Sequence, residues 1–415
     1  MKRLIAVMLL LVMALSLCGC GKEAEAIPAS VRMAAAEKTA AEAEKAAPAE
    51  LSAKVEEAKP AAIPMTGSVA PQSSAAAQEA EALFNSGDYK AAFEKASAAD
   101  AADPAVAALL GKAYYLGLGT DVNQAKAMSY LETAAKGGYP SCAYLLADAT
   151  DYGKGTRMDK DEAARRYIKF VAIADEVEPA SSDYGMSMCY LSECFAKAHG
   201  VEKKHELALD AANKAAAAAN LTPFELMSLA AFYDSPAPNH VSNAADATGE
   251  YAVETARKVD AAKAEELYTR AVPGLRKLAD GGNLAAVKLL GDLYLDGKGG
   301  LPQDYAKAME TYMIAADEDY ADAQAQIGYM YQNALGVPAD YARAMEWNNR
   351  AAQQGNAQGQ AQIGYLYQNG LGVTQNLDEA GRWYTRAKEG GSDWAAAMLE
   401  QTEATNPHAS FEAHA

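Results

Sequence analysis

The sequence is poor in the residues that build metal centres and disulfide scaffolds. Only five Cys and five His occur among 415 residues. So few cysteines exclude a fold stapled by disulfides, and so few histidines leave little room for an imidazole-based metal cage. Basic residues are also in deficit, with 37 Lys and Arg against 55 Asp and Glu. Nucleic acid and anionic lipid would both repel this chain, so neither is an expected partner.

The apolar run at residues 4–17 is too short to span a bilayer, which takes about 20 apolar residues. It follows a short basic start and suits the core of a secretory signal. Leu17 lies three residues before Cys20, and the small Gly19 directly precedes that cysteine. This arrangement resembles the bacterial lipobox, which implies a signal peptide over residues 1–19 and lipidation of Cys20. The alternative is an ordinary signal peptide with incidental cysteines.

The residues that follow the lipobox predict the cellular location of the protein and a linker between its anchor and its folded part. Gly21 stands where Asp favours inner-membrane retention in enteric lipoproteins. The resemblance therefore implies the outer membrane, facing the periplasm, with the lipid anchor as the only membrane contact. Residues 20–78 are rich in Ala, Glu and Pro and contain no aromatic residue. They are too poor in apolar surface to form a core and are expected to be a disordered tether.

From residue 79 the sequence repeats with a period of 36 to 37 residues. A Gly in the middle of a helical pattern is followed eight residues later by a second Gly. An Asp or Asn then stands where the next helix begins. Gly in a left-handed turn and Asp or Asn at an N-cap are the residues that helix ends favour. These structural positions are Gly111, Gly119, Gly155, Gly291, Gly299, Gly328, Gly336, Gly364, Gly372, Asn123, Asp159, Asp304, Asp340 and Asn376.

Repeated helix pairs of this length predict an all-α superhelical solenoid. The motifs Leu-Gly-x-x-Tyr, Gly-x-Gly-Val, Asp-Tyr-x-x-Ala and Ala-Ala-x-x-Gly resemble the Sel1-like repeat, a relative of the tetratricopeptide repeat. The match is best over residues 283–391. We expect about seven repeats and a cap over residues 79–403, an insertion near 234–261, and a disordered tail over 404–415.

Three departures from the repeat pattern predict local differences. Ala334 replaces a turn Gly, so the helix end there is expected to be strained or shifted to Asn333. Asp319 stands where neighbouring repeats have a terminal Gly. Ser192 takes the place of the anchor Gly in another unit.

Sequence signals for catalysis, cofactors and metals are weak. The run Gly153 to Thr156 suggests a phosphate loop, but the preceding Gly is missing and no strand is predicted. Cys189 and Cys194 lie five apart on one predicted helix and cannot bridge to each other. Cys142 is expected either to bridge to one of them or to be free and buried. No metal spacing and no nucleophile motif occurs, so we predict a non-enzyme without cofactor or metal.

A stacked array of helix pairs is suited to binding an extended peptide or a partner helix. Segments 324–337 and 360–373 match at 12 of 14 positions. They repeat Tyr329 as Tyr365, where other repeats carry charged residues at the same position, so these tyrosines are expected to be exposed. With the recurring Gln326, Gln332, Gln362 and Gln368 they form a candidate contact strip, although duplication alone also explains the recurrence.

Two functions from different classes therefore remain. The leading hypothesis is a non-catalytic periplasmic scaffold lipoprotein that binds another envelope protein. Its more specific form is similarity to the solenoid lipoproteins of exopolysaccharide secretion complexes. The alternative is a periplasmic hydrolase of cell wall or β-lactam, with a site near the insertion at residues 234–261.

Overall fold

The computed structural model describes residues 73–199, 201–235 and 259–405. Within these ranges the chain forms 17 α-helices and no strand, which confirms the predicted all-α class. The predicted signal peptide, Cys20 and all but the end of the tether lie outside the described residues. Most of the insertion, residues 236–258, and the tail from residue 406 also lie outside them.

The helices follow one another with short connections. They are α1 (Ala75–Asn85), α2 (Tyr89–Ser97), α3 (Pro104–Leu116), α4 (Gln124–Lys136), α5 (Pro140–Tyr152), α6 (Lys160–Ala174), α7 (Tyr184–Lys197), α8 (His205–Ala217), α9 (Pro223–Asp234), α10 (Ala261–Asp280), α11 (Leu284–Asp296), α12 (Tyr305–Asp317), α13 (Ala321–Gln332), α14 (Tyr341–Gln353), α15 (Ala357–Asn369), α16 (Leu377–Glu389) and α17 (Asp393–Thr405).

Consecutive helices pair into hairpins, from α1–α2 to α15–α16, and α17 packs on α16 as a single closing helix. The two helices of a hairpin make the most extensive contacts, and most hairpins also pack against the next one along the chain. Helices α9 and α10 pair in the same way across the insertion. Each hairpin therefore covers its apolar side with its neighbours, as in a solenoid.

The turns are set by left-handed glycines and by N-caps. Gly117, Gly153, Gly297 and Gly370 end first helices with φ between 65° and 70°. Five second helices begin at an Asp or Asn that the repeat pattern predicted, and the side chain of each accepts a hydrogen bond from a backbone N–H of the first turn; α8, which follows Lys204, has no such cap. These N-caps are Asn123, Asp159, Asp304, Asp340 and Asn376.

Two kinds of glycine allow the helices to approach closely. The second turn Gly is tightly packed, since a Cβ on Gly119 would lie 2.2 Å from the carbonyl oxygen of Tyr89. In the four first helices that carry an anchor Gly, this residue faces one buried side chain of the second helix. The facing pairs are Gly111 with Leu131, Gly291 with Tyr312, Gly328 with Asn348 and Gly364 with Tyr384.

The hydrophobic core runs between the helices as one long cluster and two short ones. The long cluster extends from Ala77 to Leu293. The second ends at Met330, and the third begins at Ala361. The interruption between them lies at α14, whose buried residues are only two alanines and Asn348.

A few polar contacts join hairpins that are far apart in the sequence. The Asn283 amide donates from Nδ2 to the carbonyl oxygens of Leu116 at 2.9 Å and Gly117 at 2.8 Å. Nearby, Lys277 Nζ lies 3.6 Å from Asp88 Oδ1. The end of α3 is therefore fastened to the start of α11, about 166 residues later.

Among the described helices, none is both long enough and apolar enough to cross a bilayer.

Candidate functional site

The first helices of five units line one groove. Residues of α9, α11, α13, α15 and α17 enclose a cavity of about 1140 Å³, which also touches α10. The odd-numbered helices reach the groove because they occupy the same place in successive hairpins. A continuous surface built from equivalent helices is the binding surface that repeat architectures provide.

One end of the groove is apolar and the other is rich in amides. The apolar side chains Phe224, Met227, Ala231, Leu289 and Leu293 lie at the end formed by α9 and α11, which Ser228, Asp292, Asp296 and Lys298 also line. The amide end carries Gln326, Gln332, Gln358 and Gln362, together with Tyr329, Tyr365 and Trp394. A ligand that fills the groove must therefore present apolar groups to one end and hydrogen-bonding groups to the other.

The charged side chains that line the groove are paired. Asp292 lies 2.7 Å from Lys288 Nζ, and the hydroxyl of Tyr312 donates to it at 2.7 Å. Lys298 lies between Asp234 at 2.6 Å and Asp296 at 3.1 Å. Burial opposes the positive charge of Lys298, but the two carboxylates outweigh it and raise the pKa of this ammonium. These three carboxylates and two ammonium groups leave one negative charge in excess, so the groove is not a strongly charged patch.

The two tyrosines of the predicted strip both line the groove. Tyr329 and Tyr365 are half-buried, and neither hydroxyl makes a hydrogen bond to another described residue. Both were expected to be exposed because other repeats carry a charged residue at the same position, but one of those charged residues, Lys112, is only 5% exposed. That lysine is paired with Asp183 at 2.7 Å inside the fold. A charged residue in a sister repeat therefore did not mark a solvent-facing position.

The four glutamines of the strip fall into different environments. Gln326, Gln332 and Gln362 line the groove. Gln368 does not belong to its lining, and its Oε1 accepts a hydrogen bond from the Tyr384 hydroxyl at 2.6 Å. Gln326 is held by two bonds of 3.3 Å, to Asp292 and from Gln358.

Sequence reasoning missed the aromatic residue that closes the groove. Trp394 is 45% exposed, and its ring centroid lies 6.2 Å from that of Tyr365. The 36-residue period was sufficient to find it, because Trp394 stands one period after Gln358, which also lines the groove. The single closing helix thus adds an aromatic wall to the site.

The described cysteines are free and buried rather than bridged. Burial raises the pKa of the Cys142 thiol to about 12, although the nearby Lys112 acts in the opposite direction. Burial also raises the pKa values of Cys189 and Cys194 well above the usual range. These thiols are protonated at neutral pH and are poor nucleophiles.

The most concentrated polar cluster is enclosed by the fold. Asp183 accepts hydrogen bonds from Lys112 Nζ at 2.7 Å, the Ser141 amide at 2.9 Å and the Ser187 hydroxyl at 3.0 Å. All four residues are buried. A substrate does not reach them, so the cluster links helices α3, α5 and α7. In the part of the chain with described coordinates, no group of three His, Cys, Asp or Glu side chains is arranged to hold a metal.

Among the solved structures that match the chain are three proteins of 18–23% identity. A protective antigen of uropathogenic Escherichia coli with an SLR fold is 23% identical, with a TM-score of 0.32; the match covers 81% of this chain and 66% of that one. A Sel1 repeat protein from Oxalobacter formigenes is 22% identical, with a TM-score of 0.32, over 82% of this chain and 83% of the other. An immunity protein from Pseudomonas aeruginosa is 18% identical, with a TM-score of 0.29, over 64% and 82% of the two chains. No curated protein sequence matches the chain.

The Sel1 repeat model matches six segments that together make up half of the chain. They are residues 104–139, 140–169, 185–220, 285–320, 321–356 and 357–392. Each segment coincides with one hairpin in the range from α3–α4 to α15–α16, and α9–α10 is the hairpin of that range that no segment covers. Sel1 repeat proteins generally mediate protein–protein interactions and are typically non-catalytic. The chain belongs to the Sel1 repeat family.

Proposed function

We propose that this protein is a non-catalytic scaffold lipoprotein that binds another protein of the bacterial envelope through the groove. In this proposal Cys20 carries the lipid, the predicted tether over residues 20–78, whose last four residues begin helix α1, leads to the repeats, and the repeats face the periplasm from the outer membrane. The lipobox-like sequence supports the address, and the Sel1 repeats support the binding of a protein.

The groove is the observation that carries the proposal. Its volume of about 1140 Å³ exceeds the roughly 300–1,000 Å³ of ordinary small-molecule sites. It extends over five successive first helices and combines aromatic rings, amides and an apolar end. This combination suits a segment of polypeptide, which carries apolar side chains and a polar main chain along one extended molecule.

A finer form of the proposal places the partner in an exopolysaccharide secretion or envelope assembly complex. Its support is the combination of a repeat architecture with a lipid-anchored periplasmic address. The genes that neighbour this one test it, because an exopolysaccharide synthesis cluster beside it is the expected finding. A hydrolase is not proposed, since no described residue favours it.

Site-specific photocrosslinking in living cells tests the groove as the binding surface. A photoreactive residue replaces Tyr329 or Trp394 in the full chain. The matched control position is Ile314, which is 60% exposed on the second helix α12 and does not line the groove. We expect a discrete protein adduct from both groove positions and none from residue 314. Equal adducts at all three positions, or none in the groove, would contradict the proposal.

The lipid anchor is tested separately from the groove. Cys20→Ala is expected to abolish incorporation of radiolabelled palmitate and to release the protein from the membrane fraction. Cys18→Ala is the matched control and is expected to leave both unchanged. Palmitate incorporation that survives Cys20→Ala would contradict the predicted anchor.

A further inference from the structure

Helices α13 and α15 have almost the same sequence, but the equivalent glutamine near the end of each helix differs in its hydrogen bonding. Gln368, at the end of α15, accepts the hydroxyl hydrogen of Tyr384 with Oε1 at 2.6 Å. Its counterpart Gln332, at the end of α13, is only 9% exposed, and its Oε1 accepts no hydrogen bond from any described residue. A buried acceptor without a donor is unfavourable.

The cause of the difference is a single residue of the facing helix. Asn348 on α14 occupies the position that Tyr384 occupies on α16, 36 residues later, and each faces the anchor glycine of its own unit. The amide is too short to reach the end of α13 as the Tyr384 hydroxyl reaches Gln368. Both polar atoms of the fully buried Asn348 side chain are themselves unpaired within the described structure.

The unpaired acceptor belongs to the wall of the groove. Gln332 lines the cavity beside Tyr329, whereas Gln368 is absent from the lining of the duplicated unit. A molecule in the groove that reaches this side chain can supply the donor that Gln332 Oε1 lacks, since no described residue does so. The near-duplicate segments thus have different roles: Gln332 of α13 is left for a ligand, whereas Gln368 of α15 is hydrogen-bonded within the fold.

The rest of the groove favours a peptide over a saccharide as that molecule. A glycan carries hydroxyls on every ring and would set some of them against Phe224, Met227 and Leu293, where only the few polar residues between them, such as Ser228 and Asp292, offer hydrogen bonds. A peptide places apolar side chains there and still offers a main-chain N–H to Gln332. The lining charges are paired, so the groove does not call for a strongly charged ligand.

We propose that Gln332 is the recognition residue of the groove and accepts a main-chain N–H from an extended, weakly charged partner peptide. Tyr329, Tyr365 and Trp394 contact the side chains of this peptide, whose apolar residues lie toward Phe224 and Met227. This inference rests on the proposed function and adds to it the chemistry of the partner and the polarity of its docking.

A peptide-binding screen with the purified full-length chain in detergent micelles tests the inference. The probe is a library of random peptides of about 12 residues, which span about 40 Å when extended. An array of oligosaccharides is screened in parallel. We expect the selected peptides to be apolar at one end and low in net charge, and we expect no glycan to bind.

Four variants then test whether Gln332 Oε1 is the atom that accepts the hydrogen bond from the peptide. Gln332→Leu removes it, and Asn348→Tyr supplies the internal hydroxyl that Gln368 already receives. Both are expected to weaken the selected peptides about ten-fold, while the thermal midpoint stays equal or rises. Gln368→Leu and Tyr384→Phe are the matched controls in the duplicate unit. They are expected to lower the thermal midpoint and to leave peptide affinity unchanged.

Besides a failure of all peptides to bind, three outcomes would overturn the inference. They are selection of glycans instead of peptides, equal loss of affinity from Gln332→Leu and Gln368→Leu, and full affinity in the Asn348→Tyr variant. The thermal midpoints show whether each variant is folded. If peptides fail here while the crosslinks at Tyr329 and Trp394 persist, the scaffold function stands and only this recognition chemistry is wrong.

Discussion

A single asparagine interrupts the core of this protein. In other hairpins the residue that faces the anchor glycine is Leu131, Tyr312 or Tyr384, and each fills the space between paired helices. Asn348 is fully buried there and leaves both of its polar atoms unpaired. The second and third core clusters are separated at this helix as a result.

Replacing this residue with an apolar one is expected to stabilise the fold. Asn348→Leu removes the unpaired amide, and Leu131 shows that leucine fits against the equivalent glycine. We expect the free energy of unfolding to rise by about 1–3 kcal/mol. Urea denaturation followed by circular dichroism measures the change. The control Tyr384→Leu removes the hydroxyl that donates to Gln368 and is expected to lower the free energy of unfolding. A loss of stability in both variants would contradict the explanation.

A second prediction at the scale of single residues concerns the reactivity of the buried thiols toward alkylating reagents. Because burial raises the pKa of Cys142 to about 12, an alkylating reagent at pH 8 is expected to spare it in the native protein. Cys189 and Cys194 are expected to behave in the same way. Mass spectrometry of alkylated peptides measures the modification, and denaturation in urea before alkylation provides the positive control. Rapid native labelling of any of the three would contradict their burial.

The partners of individual polar side chains were the least predictable feature from sequence. Lys112 and Asp183 are 71 residues apart, and nothing in either local pattern indicates that they meet. Gln332 and Gln368 occupy the same place in near-identical segments, yet their environments differ because of a residue on another helix. Such differences depend on three-dimensional neighbours, which the periodicity of one helix does not contain.

At the scale of helices, left-handed turns are required even where glycine is missing. Ala198 and Ala334 stand six residues after their units' anchor positions, as Gly370 does, and have φ values of 61° and 55°. Helix α13 accordingly ends at Gln332 with Asn333 as its C-cap, and the following Ala334 takes the left-handed conformation. Both expected consequences of the missing glycine, a shift of the helix end to Asn333 and a strained backbone at Ala334, therefore occur together.

Restoring glycine at such a turn is expected to stabilise the protein. A left-handed residue with a Cβ costs about 1–2 kcal/mol, so Ala334→Gly should raise the free energy of unfolding by about 1 kcal/mol. The reverse change, Gly370→Ala in the duplicate unit, should lower it by a similar amount. Thermal and urea denaturation measure both variants. If both changes act in the same direction, the turn geometry does not account for the effect.

The helix boundaries were largely predictable because local chemistry fixes them. Each left-handed Gly and each Asp or Asn N-cap acts within a few residues of its own helix end. Their repetition at one spacing also predicted the hairpins and the all-α solenoid, both of which the structure and the Sel1 match confirm. The extension of α17 to Thr405 was not predicted, since no capping residue marks its end.

At the scale of the whole molecule, one buried ion pair ties three hairpins together. Lys112 lies on α3, Ser141 on α5, and Asp183 at the start of α7. Burial opposes the charge of Lys112, but Asp183 outweighs this effect and raises the pKa of the lysine. A raised pKa means that this contribution is complete at neutral pH and is lost only in strongly alkaline solution.

Breaking this pair is expected to be costly. Lys112→Met leaves Asp183 charged and uncompensated inside the fold, which should lower the free energy of unfolding by about 3–5 kcal/mol. The matched control is Lys154→Met, which breaks the more exposed pair with Asp148 and should cost about 0–1 kcal/mol. Urea denaturation compares the two. Similar losses would show that the buried cluster is not a special tie between hairpins.

The bond between Asn283 and the end of α3 has a consequence for how the molecule opens. An array in which each unit touches only its neighbours loses structure from its ends inward. Asn283 fastens α11 to α3, so the helices between them are not free to open independently, whereas α1–α2 and the helices after α11 lie outside this connection. Amide hydrogen exchange should therefore report similar protection for α3 and α11, and Asn283→Ser, which keeps an N-cap, should uncouple them. With Asn283 in place, the segment from α3 to α11 would unfold as one cooperative unit rather than hairpin by hairpin.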